Sequence, residues 1–172
     1  MKKEIIISCD STYYTKTCND FRFQSSVRAY PKLAETLKWI SKKGAEKLEV
    51  PVEDMRVVDV AFHHSIAPRK ALLCDSKRRM SLVHDVSDWV DLGIRPVLYP
   101  LAPENGGKKF VEKEVDVGLA LDTYATAIAK GASIVALVAG DRDFCPLLER
   151  LSANGIETLL VTHPGTTSKR LE

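Results

Sequence analysis

The chain has 172 residues, of which 45% are hydrophobic and 28% charged, and its 25 Lys and Arg against 23 Asp and Glu give a net charge of +2. This length predicts one globular domain over residues 1–172, and the small net charge gives no strong overall attraction to nucleic acid or anionic lipid. The four cysteines form no CxxC pair, and we recognise neither a secretory signal nor an apolar run long enough to cross a bilayer. These features exclude a secreted disulfide scaffold, a membrane protein and a small zinc ribbon, and they favour a reduced, cytoplasmic protein.

Apolar runs alternate with segments of helical period along most of the chain. The predicted strands are Glu4–Cys9, Arg56–Phe62, Ile94–Tyr99, Ser133–Ala139 and Ile156–Val161. The apolar stripes that mark helices are Leu33/Leu37/Ile40, Leu82/Val83/Val86/Val90, Val117/Leu121/Tyr124/Ile128 and Phe144/Leu147/Leu148/Leu151. Pro96 places the third strand toward an edge of the sheet, and the segment from Pro100 to Lys109 is predicted as a loop. The alternation predicts an α/β fold with a mostly parallel sheet and helices on both faces.

Acidic residues follow the predicted strands at the places where ligands bind in such sheets. Asp10 directly follows the first strand, Asp141 and Asp143 follow the fourth, and Asp116 lies in the first turn of the helix after the third. Ligands of parallel sheets bind outside the carboxyl ends of the strands, so we expect these four carboxylates at one rim. If strands one and four are neighbours, Asp10 and Asp141 start about 5 Å apart at the backbone.

Four carboxylates at one rim need a positive charge between them, because like charges at this range repel. Carboxylate oxygens without His or Cys ligands suit Mg²⁺ or Mn²⁺. Such an ion polarises a phosphodiester and lowers the pKa of the attacking water, so the pattern predicts hydrolysis of a phosphate ester. Each residue also has a structural alternative: Asp143 is well placed to cap the last helix, and Asp116 to favour the dipole of its helix.

Other polar residues are weaker candidates. Asp122 lies six residues past Asp116, roughly 120° further round the helix, so we expect it to support the site or to be structural. The pair His63-His64 has no companions at ligand spacing and is expected at the surface or partly buried. The basic clusters Arg69-Lys70, Lys77-Arg78-Arg79 and Lys108-Lys109 are either solvated surface or contacts to a phosphate backbone, with Phe110 or Tyr99 able to stack on bases.

Two segments carry a resemblance to a known family. EKEVDVGLALD (Glu112–Asp122) and VALVAGDRDFCPLLERLSANGIETLLV (Val135–Val161) resemble the NYN domain, a group of PIN-like ribonucleases that includes the bacterial LabA-like proteins. The opening IIISCD is similar to the family's first strand and first aspartate. The resemblance implies a three-layer α/β/α fold with a five-stranded sheet of order 3-2-1-4-5. It also implies an RNA-cleaving Mg²⁺ or Mn²⁺ site formed by Asp10, Asp116, Asp141 and Asp143.

This resemblance makes an endoribonuclease the leading hypothesis. RNA would be the substrate, and the residues expected to contact it are Lys108, Lys109, Arg78, Arg79 and Arg142. Many family members carry an Asn three residues after the first Asp, where this chain has Tyr13. The hydroxyls of Ser11 and Thr12 are the candidate replacements for that amide.

Two other functions stay open. The first is a degenerate NYN module that binds RNA or a protein partner without cleavage, which the missing Asn favours. The second is a haloacid-dehalogenase-like phosphatase, against which Thr12 stands where a second Asp is required and Pro146 and Leu147 follow where the late Asp belongs. No membrane partner is expected, and a homodimer stays open.

Overall fold

The computed structural model describes residues 2–14, 30–68, 72, 74–104, 109–111 and 114–162. Its strands are β1 (Lys3–Asp10), β2 (Met55–Ile66), β3 (Arg95–Pro100), β4 (Ala102–Glu104), β5 (Lys109–Val111), β6 (Ile134–Val138) and β7 (Glu157–Val161). Its α-helices are α1 (Tyr30–Lys47), α2 (Ser76–Asp91), α3 (Val115–Lys130) and α4 (Cys145–Ala153), with 3-10 turns at Val52–Asp54 and Arg142–Phe144. Residues 11–14 are helical as well. Among the helices described, none has the length and hydropathy that crossing a bilayer requires.

Five strands form one parallel sheet in the order β3-β2-β1-β6-β7. A separate antiparallel ribbon of β4 and β5 stands between β3 and α3 in the chain. Numbered along the whole chain, the order is therefore 3-2-1-6-7 and not the expected 3-2-1-4-5. The two ribbon strands have three residues each, too few to show a period of two, which is why the sequence predicts a loop there. The five strands that the sequence does predict lie beside the neighbours expected for them.

The central strand β1 is buried on both faces. Ile5 and Ile7 belong to one hydrophobic cluster, and Ile6, which points the opposite way, belongs to a second. A strand covered on both sides typically contains a nearly continuous apolar run, and Ile5-Ile6-Ile7 is such a run.

Helices cover the two faces in pairs. On the Ile5 face, Leu33 of α1 and Trp89 of α2 complete the cluster. On the Ile6 face, Leu119 of α3 and Leu151 of α4 do so. The sheet is therefore the middle of three layers, α/β/α, as expected.

Two helices depart from their predicted apolar stripes. In α2, Val83 and Val90 are exposed while Trp89 is buried, and α3 turns a different side to the sheet than its stripe suggests. The buried residues of α3 are Val115, Leu119, Thr123 and Ala127. Val117, Leu121 and Ile128, which mark this helix in the sequence, are exposed. Since α3 is apolar on both sides, a period of 3.6 residues fits either side equally well, and the periodicity alone could not select the correct one.

The prediction of an edge strand around Pro96 is confirmed. β3 is the outermost strand on its side of the sheet, and Pro96 lies opposite Phe62 of β2. A proline has no N–H to donate to a second neighbour, so an edge position accommodates it.

Candidate functional site

The carboxyl edge of the sheet brings Asp10 and the segment after β6 together. β1 and β6 are adjacent and parallel, with Cys9 opposite Val138 at the end of their pairing. Asp10 is the last residue of β1, and Asp141 follows the last residue of β6 by three positions. The expected adjacency of these strands is confirmed, and it places both residues at the same edge.

Asp10 is fixed by the backbone that follows it. Its Oδ1 accepts hydrogen bonds from the N–H of Thr12 at 2.9 Å and from the N–H of Tyr13 at 3.0 Å. These are the N–H groups at the start of the helical residues 11–14, so Asp10 caps that turn. Its half-buried carboxylate is therefore held at the strand end in a defined orientation.

Asp141 has the same role at the neighbouring strand. Its side chain accepts a hydrogen bond from the N–H of Asp143 at 3.0 Å and caps the 3-10 turn Arg142–Phe144. The alternative role of Asp143 as cap of the last helix is wrong, because Phe144 occupies the N-cap of α4 and that position has no side-chain hydrogen bond. Asp141 and Asp143 are both exposed.

α3 runs back across the sheet from this edge. Gly118 in its first turns lies against Tyr99 near the end of β3, whereas Asp122 reaches Arg95 at the beginning of β3. The helix therefore runs opposite to the strands, and its first turn lies toward their carboxyl ends. Asp116 is in that first turn and is exposed. The face of β1 that carries Asp10 points toward α3, since Ser8, two residues earlier, is hydrogen-bonded to Thr123 at 2.6 Å.

These carboxylates match the ligand chemistry of a hard divalent cation, which takes oxygen ligands. Within the described part of the chain, no group of three or more His, Cys, Asp and Glu side chains is close enough to hold a metal ion. Two of the four candidates, Asp10 and Asp141, instead use a carboxylate oxygen to cap a turn. The carboxylate oxygens are thus chemically suitable for Mg²⁺ or Mn²⁺, but Asp10 and Asp141 are arranged as caps of turns.

Asp122 belongs to a separate ionic network, which lies farther from the carboxyl edge of the sheet than Tyr99 does. Arg95 donates to Asp122 and to Asp59, each with an N–O distance of 2.8 Å. The hydrogen bonds to Asp59 and then to Asp122 raise the pKa of Arg95 above its ordinary value. This network ties the beginning of β3 to β2 and to the middle of α3, which gives Asp122 a structural partner of its own.

His63 is buried more deeply than the sequence predicts. Its side chain is fully buried, and its Nδ1 lies within hydrogen-bonding distance, 3.1 Å, of the hydroxyl of Tyr99. Its Nε2 lies 3.5 Å from Oδ2 of Asp122 and has no hydrogen-bond partner among the described residues. Burial lowers the pKa of His63 to about 4, against the opposing effect of Asp122, so the imidazole is neutral at pH 7.

The register of the sheet puts His63 directly opposite Asp10. A sequence signal for this was absent, because the pairing of β1 with β2 shifts by one residue between Ile5 and Ile6. His64 points to the other face, where it contacts the ring of Trp89. The expectation of a surface or partly buried pair is thus wrong for His63 and correct for the half-buried His64.

The hydroxyl of Ser11 does not take the place of the Asn side chain that many NYN domains carry after their first Asp. Ser11 is buried and its Oγ lies 2.7 Å from Nδ1 of His64, on the opposite face of the sheet from α3. Thr12 is half-buried and donates its backbone N–H to Asp10. Tyr13, at the position of the Asn, packs against the hydrophobic cluster of β1.

Two of the five basic candidates, Arg142 and Arg79, have side chains that the structure describes. Arg142 is exposed in the 3-10 turn between Asp141 and Asp143, at the carboxyl edge. Arg79 is exposed near the start of α2. Lys108 and the side chains of Arg78 and Lys109 lie outside the described residues. Of the two aromatic candidates, Phe110 is exposed, whereas Tyr99 contacts His63.

Comparisons with known proteins agree with this architecture. The family model of the NYN domain matches residues 66–172, which is more than half of the chain. A solved structure of a protein of unknown function from Vibrio parahaemolyticus is similar with a TM-score of 0.61 and 23% identity, covering 99% of this chain and 87% of that one. At that identity the likeness establishes the fold alone. No curated protein matches the chain.

Proposed function

Since this chain belongs to the NYN domain family, whose members are generally nuclease-like, we propose that it is a ribonuclease that hydrolyses RNA phosphodiester bonds with Mg²⁺ or Mn²⁺. Its reacting residues would be Asp10, Asp116, Asp141 and Asp143. One observation carries this proposal: β1 and β6 are parallel neighbours, so the carboxylates that follow them share the edge at which α/β sheets bind ligands.

The chain's own residues would prepare this edge for an ion. Two N–H groups fix the orientation of Oδ1 of Asp10, and the N–H of Asp143 fixes that of the Asp141 side chain. Asp116 stands in the first turn of α3, at the positive end of the helix dipole. An ion held by these oxygens supplies Lewis-acid polarisation of the phosphodiester and a more acidic water.

RNA would approach across the same edge. Arg142 is exposed between two of the candidate carboxylates, so its guanidinium can reach a phosphate next to the bond that is cleaved. Phe110 on the β4-β5 ribbon presents an exposed ring on which a base can stack. Lys108, Lys109, Arg78 and Arg79 would add charge along the path of the backbone.

A second candidate function is RNA or protein binding without cleavage. Tyr13 favours it, because its side chain packs against the core where many family members have an amide beside the first Asp. The absence of a three-ligand group among the described side chains favours it too.

A cleavage and binding assay on one RNA separates the two functions. A single-stranded RNA labelled at its 5′ end is incubated with the protein and Mg²⁺ or Mn²⁺, and with EDTA as the control. The ribonuclease proposal predicts shorter labelled products that depend on the ion. Binding of the intact RNA with no product under any divalent ion would overturn it and establish the binding module.

A further inference from the structure

The side of α3 that faces β1 carries a buried hydrogen bond and one of the candidate metal ligands. Thr123 exposes 1% of its surface, and its Oγ1 lies 2.6 Å from Oγ of the equally buried Ser8. Asp116 precedes Thr123 by seven residues, which is about 20° short of two full helical turns. The two side chains therefore lie on the same side of α3, and that side faces the strand that ends in Asp10.

The hydrogen bond between Ser8 and Thr123 fixes how far each candidate carboxylate lies toward the carboxyl edge. Asp10 follows Ser8 by two strand residues, which is about 7 Å. Because α3 runs opposite to β1, Asp116 lies beyond Thr123 in the same direction, by about 10 Å along the helix. The backbones of Asp10 and Asp116 thus differ by only about 4 Å in their position along the strands.

A second contact sets the distance of α3 from the sheet. Gly118 lies directly against the ring of Tyr99, with no room for a Cβ atom between them. The fully buried His63 stacks on that ring, and its Nδ1 lies 3.1 Å from the Tyr99 hydroxyl. Its Nε2 faces α3 itself, 3.5 Å from Oδ2 of Asp122. The ring is therefore held from two sides, and in a close-packed interior it cannot yield without moving its neighbours. The α3 seat is the name used below for two contacts, Ser8–Thr123 and Tyr99–Gly118.

Asp116 reaches the carboxyl edge from a different layer of the fold than the other candidate ligands. Asp10 and Asp141 are fixed at strand ends by the turns that they cap. The position of Asp116 relative to them depends on how α3 lies on the sheet. A shift of α3 by one residue along its axis moves Asp116 by about 1.5 Å, which is several times the roughly 0.2 Å that ligand distances in metal sites tolerate.

From this placement, we propose that the α3 seat holds Asp116 beside Asp10 so that both can bind one Mg²⁺ or Mn²⁺ ion, with Thr123 and Tyr99 as positioning residues. Thr123 fixes α3 along its axis, and Tyr99 fixes its distance from the sheet. Neither residue is a candidate ligand, so each acts on the ion through Asp116. The inference rests on the proposed ribonuclease function, since that function supplies the ion.

The affinity of the protein for Mn²⁺ tests the α3 seat without any RNA, and the electron paramagnetic resonance signal of the free ion measures it. Thr123→Val keeps the shape of the side chain but removes the hydroxyl that bonds to Ser8. We expect it to raise the dissociation constant of Mn²⁺ about 10-fold, as loss of an interaction that orients a metal ligand does elsewhere. Thr123→Ser keeps a hydroxyl at this position and should bind Mn²⁺ as the wild type does.

Gly118→Ala tests the other contact of the seat. Its methyl group meets the ring of Tyr99, so the first turns of α3 have to move outward, and Mn²⁺ should again bind about 10-fold more weakly. Ile156→Val is the control for a mere loss of stability. It trims a buried side chain in the same hydrophobic cluster as Leu119, just before β7 and so at the opposite end of the sheet. Its affinity for Mn²⁺ should equal that of the wild type, and circular dichroism verifies that each variant is folded.

Asp10→Asn, measured beside these variants, separates the failure of this inference from the failure of the proposed function. If Asp10→Asn loses Mn²⁺ while Thr123→Val and Gly118→Ala bind it as the wild type does, the α3 seat has no role and the ribonuclease proposal stands. An equal weakening by Thr123→Val and Ile156→Val would also overturn the seat, because stability alone would then explain the effect. A wild type that binds no Mn²⁺ at millimolar concentration would overturn both.

Discussion

The ring of Tyr99 occupies the space that a side chain at Gly118 would need. The same ring stacks on His63, with centroids 5.9 Å apart and planes inclined by 20°. Gly118 lies two residues after Asp116, so this contact sets how closely the first turn of α3 approaches β3. Packing, and not helix propensity, therefore explains a glycine in the first turns of a helix.

Gly118→Ala should lower the free energy of unfolding by up to about 2 kcal/mol. Overpacking against the ring costs about 1–3 kcal/mol, and the better helix propensity of alanine returns about 1 kcal/mol. Urea denaturation measures the change. In a Tyr99→Ala background the collision disappears, so the same substitution should become neutral or stabilising. An equal loss in both backgrounds would show that Tyr99 is not the reason for the glycine.

His63 should make the protein less stable below pH 6.5. The pKa of His63 is about 4 in the folded state, because burial disfavours the imidazolium, and about 6.5 when unfolded. As pH falls from 6.5 toward 4, the unfolded chain takes up a proton that the folded chain does not, so the free energy of unfolding falls by about 1.4 kcal/mol per pH unit, roughly 3 kcal/mol in all. Above pH 6.5 this effect is absent.

His63→Leu isolates this effect from other titrations. The variant keeps the carboxylates of the protein and loses only the buried imidazole. Its free energy of unfolding, measured by urea denaturation at pH 7 and at pH 5, should therefore fall less between the two than that of the wild type. Parallel pH profiles for the two proteins would mean that His63 is protonated in the folded state.

The strands were predictable because each is a short, nearly continuous apolar run. Ile5-Ile6-Ile7 is buried on both faces, so its composition alone indicates a central strand. The orientation of α3 was not predictable, since Leu119 on its inner side and Leu121 on its outer side are the same residue type at neighbouring positions. What decides between them is the fit against β1 and β2, a long-range property that a local pattern does not contain.

The site was predictable only to the level of the sheet edge. The position of Asp10 after a buried strand indicates where its side chain goes, and the parallel pairing of β1 with β6 confirms the edge that it shares with Asp141. Which Asp caps which turn depends on backbone angles after the strand. The position of His63 opposite Asp10 depends on a register shift near Ile6, and neither feature has a sequence signal.

Metal binding at this edge should raise the thermal stability of the protein. An ion that binds the folded state alone stabilises it by mass action, by about 2.7 kcal/mol at 100 times its dissociation constant. We expect millimolar Mn²⁺ to raise Tm by several degrees, and Asp141→Asn to reduce that rise. Asn still accepts the N–H of Asp143 and caps the turn, so the variant loses charge but not its cap.

Two comparisons make the melting experiment specific. Asp91→Asn removes an exposed carboxylate at the end of α2 and should respond to Mn²⁺ as the wild type does. Asp141→Ala should in addition lower Tm without metal, because loss of a cap costs about 1 kcal/mol. A melting curve of the wild type that is indifferent to Mn²⁺ would count against a metal site at this edge.

Arg142 should contribute to RNA affinity through one phosphate. Arg142→Gln is expected to weaken binding and to reduce the slope of log affinity against log salt by about 0.7, because one fewer phosphate of the single strand is neutralised. Fluorescence anisotropy with a labelled single-stranded RNA over a salt series measures both quantities. Lys42→Gln, an exposed cation on α1, is the control and should keep the slope of the wild type. An Arg142→Gln slope equal to that of the wild type would remove Arg142 from the RNA path.

The most direct test of the ribonuclease proposal is the cleavage rate of Asp10→Asn with Mg²⁺ or Mn²⁺, measured beside its affinity for the same RNA. Asn keeps an oxygen that accepts the N–H groups of Thr12 and Tyr13, so the turn stays capped and only the charge is lost. We expect the rate to fall about 100-fold or more while RNA binding stays equal or tightens, because an anion is removed from the phosphate path. Cleavage by Asp10→Asn at the rate of the wild type would contradict the assignment of the carboxyl edge as the reacting site.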